Sequence, residues 1–193
     1  MNKMKQLTLL IIAVYLSSCA AFYRNIGPEK INYPPALVKE KVEIAYRYDV
    51  LRDAGNKKYP KSEIKKNIRV VAVKITNNSD TTVEIARDLD FYCGSSRVTL
   101  LTPLDIKETI KQSWPAYALY GIGCISGSPL DIIVFGGIGV GNMAVAGSSN
   151  KKLFLELMKY DIRNKVLNKG ESVVGLIGFE TLHADPITIK LKK

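Results

Sequence analysis

The segment that most restricts how this chain can fold is residues 115–147, in which Asp131 is the only charged residue. Eight of the chain's 14 glycines lie in this segment: Gly121, Gly123, Gly127, Gly136, Gly137, Gly139, Gly141 and Gly147. A large apolar surface left in water invites aggregation, so the segment must be covered. Judged from the sequence, three partners could cover it: the rest of the protein, lipid, or a second copy of the chain.

A single helix over this segment does not fit a bilayer. Its length would be about 50 Å, whereas the hydrocarbon core is roughly 30 Å thick, and Asp131 would lie near the midplane. Pro129 and Asp131 are instead typical of a turn, so we predict a glycine-rich hairpin with two short apolar arms. Small residues four positions apart could give each arm a close-packing helix face for contact with lipid or another chain. These pairs are Gly123 with Gly127, and Gly137 with Gly141.

The N-terminus has the organisation of an export signal. Lys3 and Lys5 precede an apolar stretch from Leu7 to Leu16, which is too short to span a membrane well. The stretch ends in Leu16-Ser17-Ser18-Cys19, which resembles the lipobox of bacterial lipoproteins. The resemblance implies that residues 1–18 are a signal peptide removed before Cys19. It also implies a diacylglycerol on the Cys19 thiol and an N-acyl chain on its amine.

Lipidation at Cys19 would determine where the protein is located, because two or more acyl chains give stable membrane anchoring. The predicted partner is therefore membrane lipid in the bacterial cell envelope. By the sorting habit of these lipoproteins, Ala20 in place of an Asp after the cysteine favours the outer membrane. A signal cleaved near Ala20 or Ala21, or an uncut anchor, is the alternative.

The rest of the chain suits one domain after a tether. Residues 19–40 are interrupted by glycine and proline and show no clear periodicity, so we expect a lipidated tether there. The prolines and glycine are Gly27, Pro28, Pro34 and Pro35. We expect residues 41–193 to form the folded domain, with residues 115–147 as an insert.

The charge of the chain is strongly positive. Lys and Arg total 28 against 18 Asp and Glu, for a formal charge of +10, and removal of residues 1–18 leaves about +8. Such a charge favours anionic lipid, an anionic envelope polymer or nucleic acid. The lipobox and the absence of any nucleic-acid-binding signature exclude nucleic acid. The densest basic stretch contains a single acidic residue, Glu63, and could be either a solvated face or a contact for acidic headgroups. It contains Lys57, Lys58, Lys61, Lys65, Lys66 and Arg69.

Alternating apolar residues predict several antiparallel strands. They lie at 42–48, 68–75, 83–85, 89–91, 98–100, 173–179 and 187–191. The strand-loop-strand unit Val70 to Ile85, with Asn77-Asn78-Ser79-Asp80 as its turn, resembles that of bacterial immunoglobulin-like sandwiches. We therefore expect a mainly β, antiparallel immunoglobulin-like sandwich, α+β overall because helices interrupt it.

Two helices are predicted on either side of the glycine-rich hairpin. Thr102-Pro103 supplies an N-cap and a first-turn proline, with Asp105 three residues beyond, and Leu104 and Ile110 as packing residues. The second helix runs from about 150 to 160. Its apolar face is predicted to comprise Leu153, Phe154, Leu157 and Met158.

No pattern of catalytic or cofactor-binding residues is found in the sequence. His183 is the only histidine, and with Asp185 it is best explained as a loop before the last strand. The glycines lack the strand-turn-helix setting of a nucleotide site, so we predict no catalytic residue, metal or cofactor beyond the lipid on Cys19. Cys93 and Cys124 could form one disulfide in an oxidising envelope, or remain two buried thiols.

These observations predict a lipid-anchored envelope protein with a non-catalytic binding or structural role. Another envelope protein, or self-association, is the expected kind of contact besides lipid. The alternative is a membrane-inserting or oligomer-forming protein that acts through residues 115–147. An envelope enzyme is the third hypothesis, for which the sequence offers no substrate.

Overall fold

The computed structural model describes residues 20–36, 41–113 and 129–192. These residues divide into two compact units. The smaller takes the described residues up to Phe22 together with those of Gln112–Lys151, and the larger takes Tyr23–Lys111 and Lys152–Lys193. The larger unit contains all of the strands.

Helices and strands are interspersed along the described chain, after a 3-10 turn at Pro28–Lys30. The strands are β1 (Val42–Arg47), β2 (Ile68–Asn77), β3 (Val83–Glu84), β4 (Leu89–Cys93), β5 (Ser96–Val98), β6 (Val166–Leu167), β7 (Ser172–Glu180) and β8 (Ile187–Leu191). The helices are α1 (Val50–Asp53), α2 (Tyr59–Lys65), α3 (Ile85–Asp88), α4 (Pro103–Ile110) and α5 (Pro129–Lys159).

The strands form three antiparallel sheets among the described residues. Two are three-stranded, with orders β1-β2-β7 and β5-β4-β8, and the third is the two-stranded pair β3-β6. In the first sheet Val73 of β2 lies opposite Tyr46 of β1 and Gly175 of β7. The long central strand β2 therefore fixes the register of both of its neighbours.

Strand β2 is buried on both faces, and the side chains of each face contribute to a different apolar core. Val71, Val73 and Ile75 belong to a core shared with the sheet β5-β4-β8, including Phe91 and Ile189. The alternate side chains pack instead with helical residues, because successive side chains of a strand point to opposite faces. That second core includes Ile68, Val70, Ala72, Leu51, Ile110, Leu153 and Leu157.

The observed fold is a mixed α+β arrangement with mostly antiparallel, open sheets. The α+β class and the antiparallel pairing agree with the sequence prediction. The chain runs strand, loop, strand from β2 to β3 as predicted, but the hairpin turn expected between them is wrong, because β2 pairs with β1 and β7 while β3 pairs with β6. Ile85 starts helix α3 rather than extending the strand.

The side chain of Asn77 explains why the chain does not turn back on β2. It is completely buried, and its amide donates to the carbonyl oxygens of Thr81 and Leu167 at 2.8 and 2.9 Å. Its oxygen accepts from the backbone N–H and hydroxyl of Ser79 at 3.0 and 2.6 Å. Asn77 thus holds the loop against β6, so the residues expected to form a hairpin turn form a side-chain-bonded loop instead.

Helix α4 confirms the predicted N-terminus. The Thr102 hydroxyl accepts from the Asp105 N–H at 3.0 Å, and the Asp105 carboxylate accepts from the Thr102 N–H at 3.3 Å. This reciprocal pair is a capping box. Ile106 and Ile110 are the buried residues, whereas Leu104, predicted to pack, is 52% exposed.

Helix α5 is longer than the second helix predicted from the sequence. It is continuous from Pro129 to Lys159, so the second arm of the expected hairpin and the helix expected at 150–160 are one element. Leu153 and Leu157 are buried as predicted, Phe154 is partly buried, and Met158 is 54% exposed. Within the ranges that the structure describes, no helix has both the length and the apolarity needed to cross a membrane.

Candidate functional site

The residues that follow Cys19 are hydrogen-bonded. In the smaller unit the Ala20 N–H donates to the Asn142 side-chain oxygen at 3.1 Å. Gln112 holds Ala21 from both sides, since its amide oxygen accepts from the Ala21 N–H at 3.0 Å and its amide nitrogen donates to the Ala21 carbonyl at 2.7 Å. The backbone of Gln112 is itself paired with the buried side chain of Asn150.

In the larger unit the next residues are held by the carboxylate of Glu156, which is 8% exposed on helix α5. The Tyr23 hydroxyl donates to it at 2.5 Å, and the backbone N–H groups of Ile26 and Gly27 donate at 3.1 and 2.8 Å. Gly27 has a φ of 60°, a left-handed conformation that glycine adopts without strain. We call this arrangement the Glu156 clamp.

Burial affects the protonation of the clamp. It raises the pKa of the Tyr23 phenol well above its ordinary value, and the adjacent Glu156 carboxylate raises it further. The phenol therefore remains a hydrogen-bond donor throughout the physiological range. The Tyr23 ring packs edge-on against Tyr59 of helix α2, with ring centroids 5.6 Å apart.

Arg24 is fixed by a second backbone pairing. Its N–H donates to the Asn56 side-chain oxygen at 2.9 Å, and its carbonyl accepts from the Asn56 side-chain nitrogen at 2.7 Å. Asn56 is buried and directly precedes the lysine-rich stretch. The two-sided pairing mimics a strand contact, so Arg24 is held by its backbone while its side chain remains exposed.

These contacts differ from the tether expected at residues 19–40. Ala20, Ala21, Tyr23, Arg24, Ile26 and Gly27 all make hydrogen bonds to distant parts of the chain. Residues 37–40 lie outside the described part of the structure. Over its first described residues the segment is therefore held by polar side chains that serve its backbone.

An open cleft of about 750 Å³ lies beside the Glu156 clamp. Its walls come from the N-terminal segment and the last turns of helix α5. The lining residues are Tyr23, Asn25, Gly27, Glu29, Lys30, Lys152, Leu155, Glu156, Lys159 and Tyr160. Three lysines and two glutamates give the lining mixed charge, with Leu155 as an exposed apolar side chain.

Several polar groups of the cleft are engaged with one another. The Tyr160 hydroxyl donates to the Glu29 carboxylate and accepts from the Lys159 ammonium at 2.8 Å. Hydrogen bonding to Tyr160 is the largest cause that lowers the pKa of the exposed Glu29 carboxyl below its usual value. The cleft can therefore offer cationic contacts to a ligand, while its two carboxylates are committed to internal partners.

The remaining predicted site residues are placed as follows. Cys19, Gly123, Gly127 and Cys124 lie outside the described residues, and Gly137 and Gly141 lie in helix α5. A Cβ added at Gly141 would meet nothing within 4 Å, so its small size serves no close contact among the described residues. The self-association and lipid-contact hypotheses for this segment stay predictions.

Cys93 is buried, and its sulfur lies 3.6 Å from the Tyr48 hydroxyl oxygen. Its predicted disulfide partner, Cys124, is not described, so that pairing stays a prediction. His183 is exposed in the loop before β8, as expected from Asp185-Pro186. Among the residues that the structure describes, no group of three or more His, Cys, Asp or Glu could hold a metal ion.

Sequence reasoning did not single out Tyr23, Asn56 or Glu156, and it assigned Asn77 only to a turn. A weak signal existed for Glu156, because a carboxylate between the core positions Leu153 and Leu157 of an amphipathic helix must find partners when buried. No comparable signal marked Asn56 or Asn77, since asparagine in a loop is common. Comparison of the chain with known family models, curated proteins and solved structures finds no match.

Proposed function

We propose that the chain is a bacterial lipoprotein anchored by lipid on Cys19, which holds its domain directly at the surface of the outer membrane. The observation that carries the proposal is the hydrogen bonding of Ala20 and Ala21, which directly follow the lipobox cysteine. A lipidated Cys19 would join a residue that is already part of the structure. Acyl chains on that cysteine would anchor the protein without a flexible spacer.

The role that we propose is binding or structural rather than catalytic. The cleft beside the Glu156 clamp offers Lys30 and Lys152 as cationic contacts, while Lys159 donates to the Tyr160 hydroxyl. Its two carboxylates, on Glu29 and Glu156, accept hydrogen bonds from the protein's own groups. A carboxylate fixed in this way is a structural acceptor, whereas a general acid or base needs access to a substrate proton.

The finer fold description, an immunoglobulin-like sandwich, is also a proposal. Its support is the core that the sheets β1-β2-β7 and β5-β4-β8 share. The pairing of β3 with β6 outside either sheet and the helices packed on the other face of β2 depart from a plain two-sheet sandwich. An experimental structure that places both three-stranded sheets face to face would test this description.

Membrane fractionation combined with intact mass tests the anchoring. The wild-type protein is expected in the membrane fraction with the mass of the chain from Cys19 plus diacylglycerol and an N-acyl chain. Cys19→Ala is expected to lack both the lipid mass and the cleavage before residue 19. Cys93→Ala is the matched control, since it removes a cysteine of the folded domain and should leave attachment and lipid mass unchanged.

The opposite result is equally clear. A wild-type protein that is released with the soluble fraction and carries no lipid mass would rule out the anchor. Cleavage near Ala20 or Ala21 would show an ordinary export signal instead. Retention of Cys19→Ala in the membrane with the wild-type mass would show that another group attaches the chain.

A further inference from the structure

Helix α2 and its flanks carry an exposed basic surface. Lys57, Lys61, Lys65 and Lys66 are exposed, and among the described residues none of them has an ion-pair partner. Ile64 lies among them and is 54% exposed. We call these five side chains the α2 surface.

The acidic residues near the α2 surface are occupied elsewhere. Glu63, the one acid of the stretch, is 4% exposed and accepts the Val70 N–H at 2.7 Å. Asp49, just before helix α1, pairs with Arg52, and Asp53 of that helix pairs with Arg47. The four lysine charges are therefore not neutralised by neighbouring carboxylates.

Chain length limits how far the proposed lipid attachment at Cys19 can lie from Arg24, whose backbone is fixed beside the start of the α2 surface. The backbone of Arg24 is paired with Asn56, which directly precedes Lys57. Cys19 is five residues before Arg24, so a fully extended chain could place it at most about 18 Å away. The lipid chains on Cys19 would thus enter the bilayer within a short distance of an unneutralised cluster of lysines.

We propose that the α2 surface binds the anionic headgroups of the membrane into which Cys19 is inserted. Lysines attract anionic lipid when they lie within a Debye length of the membrane surface. An apolar side chain among lysines also suits the boundary between headgroups and acyl chains, and Ile64 supplies it. The anchor and the α2 surface together would fix which side of the domain faces the bilayer. The inference rests on the proposed lipid anchor.

Lysine footprinting on vesicles tests the inference. The full protein isolated from membranes is inserted into vesicles of zwitterionic phosphatidylcholine alone or with 30% anionic phosphatidylglycerol. The acetylation rate of each lysine is then read by mass spectrometry. Acetylation of Lys57, Lys61, Lys65 and Lys66 should slow at least about fivefold on the anionic vesicles, and 0.5 M NaCl should remove the difference.

Three exposed lysines elsewhere serve as the internal comparison. Lys165 and Lys169 flank β6, and Lys190 lies in β8. Their rates should not change between the two vesicles. Equal slowing of both sets, or no slowing of either, would overturn the inference.

Charge-matched variants separate position from total charge. Lys61→Gln, Lys65→Gln and Lys66→Gln combined should abolish the anionic-lipid protection of Lys57. The same loss of charge at Lys165, Lys169 and Lys190 should leave that protection intact. Circular dichroism of both variants establishes that they remain folded. Protection of Lys57 that survives the first triple variant would contradict a role for the α2 surface.

Two further measurements distinguish a failure of the α2 surface from a failure of the lipid anchor. Protection by soluble polyphosphate but not by anionic vesicles would assign the surface to an anionic polymer and overturn the lipid assignment. A protein isolated without lipid would refute the anchor. The lysine acetylation rates would then be measured after vesicles are added to that protein, which tests the α2 surface by itself. Failure of the α2 surface in a protein that carries its lipid would leave the anchor standing.

Discussion

Glu63 shows how a single buried charge can make stability depend on pH. Burial raises the pKa of its carboxyl to about 7, and the hydrogen bond from Val70 only partly offsets this. An unfolded glutamate has a pKa near its ordinary value of 4.5. Between these values the folded chain retains a proton that the unfolded chain releases, so the free energy of unfolding falls as the pH rises.

Glu63→Gln is therefore expected to stabilise the protein above neutral pH. The amide keeps an oxygen for the Val70 N–H and carries no charge, so stability at pH 8 should rise by about 2 kcal/mol. Urea unfolding at pH 5 and pH 8 measures the change. Glu180→Gln, at an exposed glutamate, is the control and should leave the pH dependence as it is. A Glu63→Gln variant with the wild-type pH dependence would contradict this account.

Tyr23→Phe tests the Glu156 clamp at a single atom. The phenylalanine ring can still pack on Tyr59, but the carboxylate loses the hydroxyl that donates at 2.5 Å. Loss of a hydrogen bond to a buried charged group should lower the free energy of unfolding by about 2 kcal/mol. Tyr92→Phe is the matched control, because the Tyr92 hydroxyl has no hydrogen-bond partner among the residues described. Equal stability of the two variants in urea would contradict the clamp.

At the scale of elements, strand β7 depends on a glycine that allows close packing. A Cβ at Gly175 would lie 2.2 Å from the Ile162 side chain and 2.5 Å from the Tyr160 carbonyl oxygen. The strand cannot shift to relieve this, because β2 holds it on one side and the Leu176 N–H donates to that same Tyr160 carbonyl at 2.9 Å. Gly175 therefore sets how closely the end of α5 approaches the sheet.

Gly175→Ala is expected to destabilise the protein by at least about 2 kcal/mol, since both a side chain and the backbone would have to move. Gly178→Ala should cost less, because its added Cβ would crowd the Ile106 side chain, while the nearest backbone atom, the Arg69 carbonyl oxygen, lies at an ordinary contact distance of 3.7 Å. Gly147→Ala, at an exposed helical position with open space, should not destabilise. Thermal unfolding of the three variants gives the order. A Gly175→Ala variant as stable as wild type would mean that the Tyr160 contact is not rigid.

The sequence could predict an element where neighbouring residues determine it, and could not where contacts between distant residues do. The β-branched run in β2 and the Thr102-Asp105 N-terminus of helix α4 are local signals, and both were predicted correctly. The pairing of β3 with β6 was not predicted, because it depends on a hydrogen bond between the buried Asn77 side chain and Leu167, which are 90 positions apart in the sequence. The continuity of α5 was missed because glycines lower helix propensity, which long-range packing can override.

At the scale of the whole molecule, the N-terminal segment changes how the domain would sit on a membrane. A flexible tether would let the domain rotate freely above the bilayer, and proteases would cut it readily. The structure instead fixes the backbone of Arg24 from both sides and buries Tyr23. The resemblance to a lipobox is local and visible in the sequence, but the Glu156 clamp depends on contacts that no local pattern reveals.

Limited proteolysis distinguishes these two descriptions. Trypsin should cut after Arg24 in the native protein at least about tenfold more slowly than in the urea-unfolded chain, because cleavage requires the paired backbone to open. Asn56→Ala removes both partners of the Arg24 backbone and should accelerate that cut. Mass spectrometry of the early fragments identifies the site. Rapid cutting after Arg24 in the folded wild type would support a loose tether.

The Glu156 clamp also imposes an order of events during synthesis. Tyr23 and Glu156 are separated by 133 positions, so the N-terminal segment has no carboxylate to bind until most of the chain has been made. During that interval, in the proposed lipoprotein, the segment around Cys19 would still be extended and accessible to the enzymes that acylate and cleave it. Completion of helix α5 would then close the segment, which makes lipid attachment an early step and folding of the N-terminus a late one.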